Sequence, residues 1–212
     1  MMESIMTYKI SDDVLPLLKP KRLVAARDIL ARPDLVPDLP GIYGWWFDGA
    51  LARVPRDGAV RCGGFDLLYV GIAPRPPGRA GRSSKSTLRR RLVRNHLRGR
   101  LSGSTLRRTL AALLGEELAL SVRRGPASRP VMARADEDRL TAWIAGHGAL
   151  SWVPTPAPWD PESELLRAGP ALPLNVKGTS HPFSQTLRAA RADLGVLSQP
   201  ANANARVVAG AG

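Results

Sequence analysis

The stretch GIYGWWF, residues 41–47, decides the fold. It follows Pro40, holds a dense run of β-forming residues and reads as a strand. FDLLYVGIA, residues 65–73, reads the same way. Between them lies a loop or ragged hairpin, Asp48–Gly64, rich in Gly, Arg and Asp. The two strands are expected to pair antiparallel.

Working outward, residues 74–86 form a Pro-, Gly-, Arg- and Ser-rich loop. Thr87 can cap the helix LRRRLVRNHLRGR, with Leu88, Leu92 and Val93 facing inward. Gly99 and residues 102–104 break it. A second helix runs from Thr105 to Leu114 and ends at Gly115. Leu118–Val122 reads as a short strand. Asp136–Ala145 reads as a helix, with Leu140, Trp143 and Ile144 on one face, and Ala149–Val153 as the third main strand. A short helix, Glu162–Ala168, and a last one, Ser184–Leu194, follow.

Upstream, Ser11, Asp12 and Asp13 can cap a helix through Val14, Leu17 and Leu18. A further helix covers Lys21–Ala31. The expected class is α+β: a small antiparallel or mixed three-stranded sheet flanked by helices, with an N-terminal helical extension. The expected division is an extension over residues 1–39, a main domain over 40–195, and a disordered tail over 196–212, rich in Ala, Asn and Gly. The five tryptophans read as packing residues.

Charge narrows the partner. The chain carries 31 Lys and Arg against 18 Asp and Glu, a net charge of +13, which points to a polyanion. Residues 67–115 contain no acidic residue at all. They include Arg75, Arg79, Arg82, Lys85, Arg89, Arg90, Arg91, Arg94, Arg98, Arg100, Arg107 and Arg108, partly on one helix, an electrostatic footprint for phosphates. The lone Cys62 excludes a disulfide within the chain and a paired-cysteine zinc site. His96, His147 and His181 are too scattered for a metal cluster. No apolar run is long enough for a membrane span. The start lacks a basic segment followed by an apolar run, so a cytoplasmic location is expected.

Residues Gly41-Ile42-Tyr43 and Tyr69-Val70-Gly71, each on a strand and followed by a basic helix, resemble the two halves of the GIY-YIG nuclease signature. The resemblance spans roughly residues 40–191, and it implies that Tyr43 and Tyr69 flank one cleft. Arg91 best fits the family's arginine, ahead of Arg89 and Arg90. Asn95 and His96 fall one turn on, where relatives carry a His or Tyr. Glu162 fits the metal-binding glutamate, with Glu164 as a rival, and Asn175 fits a late asparagine. The long inserts before Tyr69 and before the basic helix depart from the family pattern.

The resemblance implies a metal-dependent endonuclease of the one-metal type, with Mg²⁺ or Mn²⁺ on Glu162. The implied catalytic set is Tyr43, Tyr69, Arg91, His96 and Glu162; Arg89, Arg90, Arg94, Arg98, Arg100 and Asn175 contact nucleic acid. These residue types suit phosphodiester hydrolysis. A phenol can take a proton from water, a guanidinium can grip the phosphate bidentately, and one carboxylate suffices for a cation that keeps its waters. Either tyrosine fits the base, with Tyr69 preferred. The expected substrate is DNA, branched or structured forms among the candidates, with RNA left open. The alternatives are a module that binds nucleic acid without cutting it, and an RNA-directed or toxin-like protein that uses the basic face.

Overall fold

A computed structural model describes residues 11–77 and 84–194. Residues 1–10 of the expected extension, the expected tail over 196–212, and Arg79 and Arg82 of the 74–86 loop lie outside the described residues. Strands β1 (Val24–Ala25), β2 (Gly41–Phe47), β3 (Arg61–Cys62), β4 (Phe65–Ala73) and β7 (Gly148–Pro154) form one antiparallel sheet, ordered β1-β7-β2-β4-β3. Strands β5 (Val122–Arg124) and β6 (Pro130–Met132) make a separate hairpin.

The three expected strands are the centre of this sheet, and the α+β class holds. The sheet itself has five strands rather than three. Both additions are two residues long, too short for an alternating pattern to be read in sequence. One corrects the N-terminal reading: Val24 and Ala25 pair with Leu150 and Ala149, leaving helix α2 only Ala26–Ala31. A free edge of β7 outweighs the helical pattern there. A second correction concerns residues 118–122. Gly115 keeps a right-handed helical conformation, so the chain turns on past it; Leu118 and Leu120 N–H donate to Leu114 and Gly115 carbonyls. The strand begins only at Val122.

Apolar side chains leave both faces of β2, and the whole strand is buried. Tyr43, Trp45 and Phe47 join Leu88, Leu92 and Leu97 in one core. That core also takes in α3 (Thr105–Leu114) and α4 (Arg134–His147). Ile42 and Trp46 join the opposite core, with Leu17 and Leu18 of α1 (Leu15–Leu18) and Leu165 of α5 (Trp159–Ala168). The last helix, α6 (Phe183–Asp193), buries Leu187 on the tyrosine side. A bulge beside Trp45 skips Leu68 in the β2–β4 register. It lets Leu68 and Tyr69 both enter the Tyr43 core.

Candidate active site

Alternation along β2 and β4 brings Tyr43 and Tyr69 to one face, with ring centroids 6.5 Å apart. The residue opposite Tyr43 on β4 is Gly71. Outside β4 the sheet edge beyond β3 is covered by irregular chain. Leu174 N–H donates to Leu68 O at 3.0 Å, and Asn175 clasps the Val70 backbone. Its Oδ1 accepts from Val70 N–H at 3.0 Å and its Nδ2 donates to Val70 O at 2.9 Å. Asn175 is buried with its amide committed at both ends, so it corrects the expected nucleic-acid contact. It holds the strand beside Tyr69 instead.

The basic helix is wound as a π-helix over Arg90–Leu97. Arg98 N–H donates to Val93 O, five residues back, at 2.8 Å. Residues five apart point to different sides of an α-helix, whereas this wider turn brings them onto one side. Arg91 and His96 thereby both face Tyr43. Of the two alternatives one turn after Arg91, His96 therefore meets the tyrosine and Asn95 does not. His96 Nε2 lies 2.7 Å from Tyr43 Oη, and His96 Nδ1 lies 2.7 Å from Ser104 Oγ. Ser104 is the N-cap of α3 and accepts from Arg107 N–H. His96 is fully buried, and burial, with the nearby charges of Arg91 and Arg107, holds its pKa well below the usual value.

Burial raises the pKa of Tyr43, and the Arg91 guanidinium beside its hydroxyl pulls it back down. Burial also raises Tyr69, as does the charge of Tyr43, against a weaker pull from Arg91. Glu162 reaches the same group from α5, although Leu165 on that helix packs on the opposite face of the sheet. Burial pushes the Glu162 carboxyl up to about 7, against the pull of Arg91 and Arg75. Glu164, the rival, accepts a hydrogen bond from Ser11 N–H at 2.7 Å and has no such coupling to the tyrosines.

The arginines divide. Arg91 is the member of its triplet that meets the tyrosines; Arg89 donates to Val36 O at 2.7 Å, away from them. Arg90 lines a cavity of about 340 Å³ with Arg75, Lys85, Arg91 and Asn95. Arg94 is exposed, and Arg98 and Arg100 line a second cavity of about 760 Å³ with Arg123 and Arg134. Arg107 corrects the expected footprint: it is fully buried and paired with Glu137 at 2.7 Å. Sequence reading missed Ser104, taken there as part of a helix break; the serine one residue before the next helix is the signal that could have found it.

A model of the GIY-YIG catalytic domain matches residues 41–193. The chain belongs to this family. GIY-YIG domains are generally endonucleases and typically use divalent metals, so nuclease activity and a nucleic-acid substrate follow at that general level. Comparison with curated proteins and with solved structures gives no match. No helix among the described residues is long and apolar enough to cross a membrane.

Among the described residues of this GIY-YIG chain, no three His, Cys, Asp or Glu side chains gather as a metal cage. The residues present nonetheless fit a single hard cation. Glu162 is a half-buried carboxylate with no hydrogen bond or ion pair to its side chain among the described residues, and its raised pKa records the cost of that charge. Arg91 Nε is likewise buried without a hydrogen-bond partner. A phosphate with its cation satisfies both.

Proposed function

We propose that the chain is a metal-dependent endonuclease that hydrolyses phosphodiester bonds in DNA by in-line attack of water. The observation that carries this reading is the gathering of Tyr43, Tyr69 and Glu162 around one guanidinium, that of Arg91. Glu162 is the residue that would hold Mg²⁺ or Mn²⁺. When bound, such an ion polarises a phosphoryl oxygen and favours deprotonated water.

The chain's own groups supply the rest. Arg91 grips the scissile phosphate and offsets the negative charge that grows on its oxygens. Tyr43 is the proposed base, in place of Tyr69. At Tyr43 the Arg91 charge is the largest pull against burial, whereas at Tyr69 the charge of Tyr43 adds to burial and outweighs Arg91. Tyr43, after losing its own proton to solvent, takes the water's proton as phenolate while the new P–O bond forms. The opposite P–O bond breaks, and its oxygen leaves in line and takes a proton from solvent. Tyr69 orients the water or phosphate. Arg75, Lys85, Arg90 and Arg94 hold flanking phosphates, and Arg98 and Arg100 continue the track past the end of the π-helix.

Single-turnover cleavage of plasmid and branched DNA with Mg²⁺ or Mn²⁺ tests this. The parent chain cuts; Glu162→Gln and Arg91→Ala lose cleavage, Arg91→Ala by about 10²–10³-fold, while DNA binding by Glu162→Gln survives. Equal cutting by parent and Glu162→Gln puts the metal elsewhere. A parent that binds DNA and cuts nothing with either ion leaves the binding-module reading.

A further inference from the structure

We propose that Ser104 is a positioning residue that fixes which ring nitrogen of His96 carries the proton, and so sets the direction of the hydrogen bond between His96 and Tyr43. Counting donors and acceptors leads there. Arg107 N–H lies 3.1 Å from Ser104 Oγ, and an amide can only donate, so Oγ accepts on that side. The one other partner of this hydroxyl among the described residues is His96 Nδ1, at 2.7 Å. Ser104 is fully buried, and an enclosed hydroxyl proton with no acceptor is costly. The Ser104 proton therefore points at Nδ1, and Nδ1 accepts.

A neutral imidazole with an accepting Nδ1 carries its hydrogen on Nε2. The ring is neutral, being enclosed and set between the cations of Arg91 and Arg107. Nε2–H then donates to Tyr43 Oη at 2.7 Å. The tyrosine oxygen accepts there, and its own proton turns toward the Tyr69 hydroxyl, since a guanidinium such as Arg91 cannot accept. The reverse arrangement has Tyr43 donating to Nε2 and Nδ1–H donating to Ser104. It leaves the Ser104 proton facing nothing in a closed site.

Two consequences follow for the proposed nuclease, and both rest on that reading. His96 cannot receive the proton of Tyr43, because the facing nitrogen already holds one. It instead donates to the phenol oxygen and favours its ionised form. The tautomer itself does not depend on the chain being a nuclease.

The test is a long-range ¹H–¹⁵N spectrum of the full chain with ¹⁵N-labelled histidine. His147→Gln and His181→Gln identify the other two rings by loss of signal. The expected His96 pattern is a bare Nδ1 and a protonated Nε2, unchanged between about pH 5 and 8. A protonated Nδ1 overturns the proposal, whether or not the protein cuts DNA. Ser104→Thr keeps the hydroxyl, and the pattern and the cleavage rate stay close to the parent. Ser104→Ala removes it; a second tautomer then appears, and the single-turnover rate falls about 10–100-fold with DNA affinity unchanged, the usual range for losing a hydrogen-bonded outer partner. An Ala variant with the parent's His96 pattern overturns the assignment to Ser104. If Ser104→Ala does not fold, the parent spectrum decides alone. A parent with the expected tautomer and no cleavage keeps Ser104's role and rejects the nuclease reading.

Discussion

The hydroxyl of Tyr43 rests against the α-carbon of Gly71: a β-carbon built at position 71 would lie 2.5 Å from Tyr43 Oη and 2.7 Å from Cζ. The second half of the signature therefore ends in glycine because the phenol of the first half occupies the space. Tyr43 cannot swing away freely, since its ring is buried and its hydroxyl is hydrogen-bonded to His96. Gly71→Ala should fold with a loss of about 1–3 kcal/mol, the usual cost of overpacking a core. It should displace the Tyr43 hydroxyl and cut the single-turnover rate by at least tenfold, since small misplacements in a reacting group cost that much or more. Parent-like cleavage by Gly71→Ala would place the chemistry away from Tyr43.

Glu162 gives a pH signature in protein stripped of metal. Its carboxyl titrates at about 7 in the fold against 4.5 as the ordinary value. The folded chain therefore binds more protons than the unfolded chain between these values. This contribution to stability is lost as pH rises from about 4.5 to about 7, and stays lost above. Glu162→Gln should match the parent's Tm near pH 4 and exceed it at pH 8, both in chelator. Adding Mg²⁺ at pH 8 should raise the parent's Tm and leave the variant's unchanged. Equal Tm values for parent and variant at pH 8 in chelator would remove the buried-charge account of Glu162.

The fully buried guanidinium of Arg107 directs its donors to Glu137, to the His96 and Leu97 carbonyls and to Thr141 Oγ1. Glu137 also accepts from Leu101 N–H at 2.6 Å. Removing one partner leaves the other charge buried and unpaired, which costs about 3–5 kcal/mol. Glu137→Ala should show that loss in urea unfolding, with no change in the m-value. A loss under about 1 kcal/mol, the scale of an exposed pair, would mean that water reaches Arg107.

Much of this was legible in the chain. The strands holding Tyr43 and Tyr69 announced themselves because both are long, apolar and closed by Pro, Gly or Asp. The strands β1 and β3 did not, since two residues carry no period, and pairing with a neighbour decides them. Near the site, the tyrosines, Arg91 and Glu162 were reachable through the signature. The convergence of Arg91 and His96 on Tyr43 was not, because it needs a π-turn that no pattern of residues specifies. Arg107 and Arg108 look alike in sequence; only the fold buries one against Glu137. Asn175 shows the reverse case: a polar residue expected at the ligand instead satisfies an uncovered strand edge.

DNA binding should follow the exposed arginines and ignore the enclosed ones. Arg94, Arg98 and Arg100 are exposed along or just past the π-helix. Replacing any one of them by Ala takes a cation away from a phosphate. Each such change should weaken binding to all sequences alike and flatten the plot of log affinity against log salt by about 0.9. Arg89 is half-buried as well as tied to Val36 O and should change the slope little; Arg98 also donates to a carbonyl, that of Leu30, but stays exposed. Fluorescence anisotropy with a labelled duplex over a salt series measures this. A slope unchanged in the Arg94, Arg98 and Arg100 triple variant would move the binding track off this helix.

The two tyrosines should separate by pH. Tyr43 is the proposed base, and its pKa in the free chain is raised by burial even with Arg91 beside it. A base titrating above the working range makes the single-turnover rate climb with pH through neutrality, about tenfold per unit, until it ionises. Tyr69→Phe should lower the rate but keep that climb, because the phenol it removes only orients. Tyr43→Phe should lower the rate further and flatten the climb. It should also destabilise the fold by about 1–3 kcal/mol, since a buried ring nitrogen of His96 loses its partner. Tyr69→Phe, at a hydroxyl with no hydrogen bond to His96, should leave Tm nearly unchanged. The measurement is the rate of cleavage of one labelled DNA across the pH range for the parent and both variants, with unfolding curves beside it. A flat profile in Tyr69→Phe with the climb intact in Tyr43→Phe would reverse the two assignments, and would leave the hydrogen bond between His96 and Tyr43 as a purely structural one.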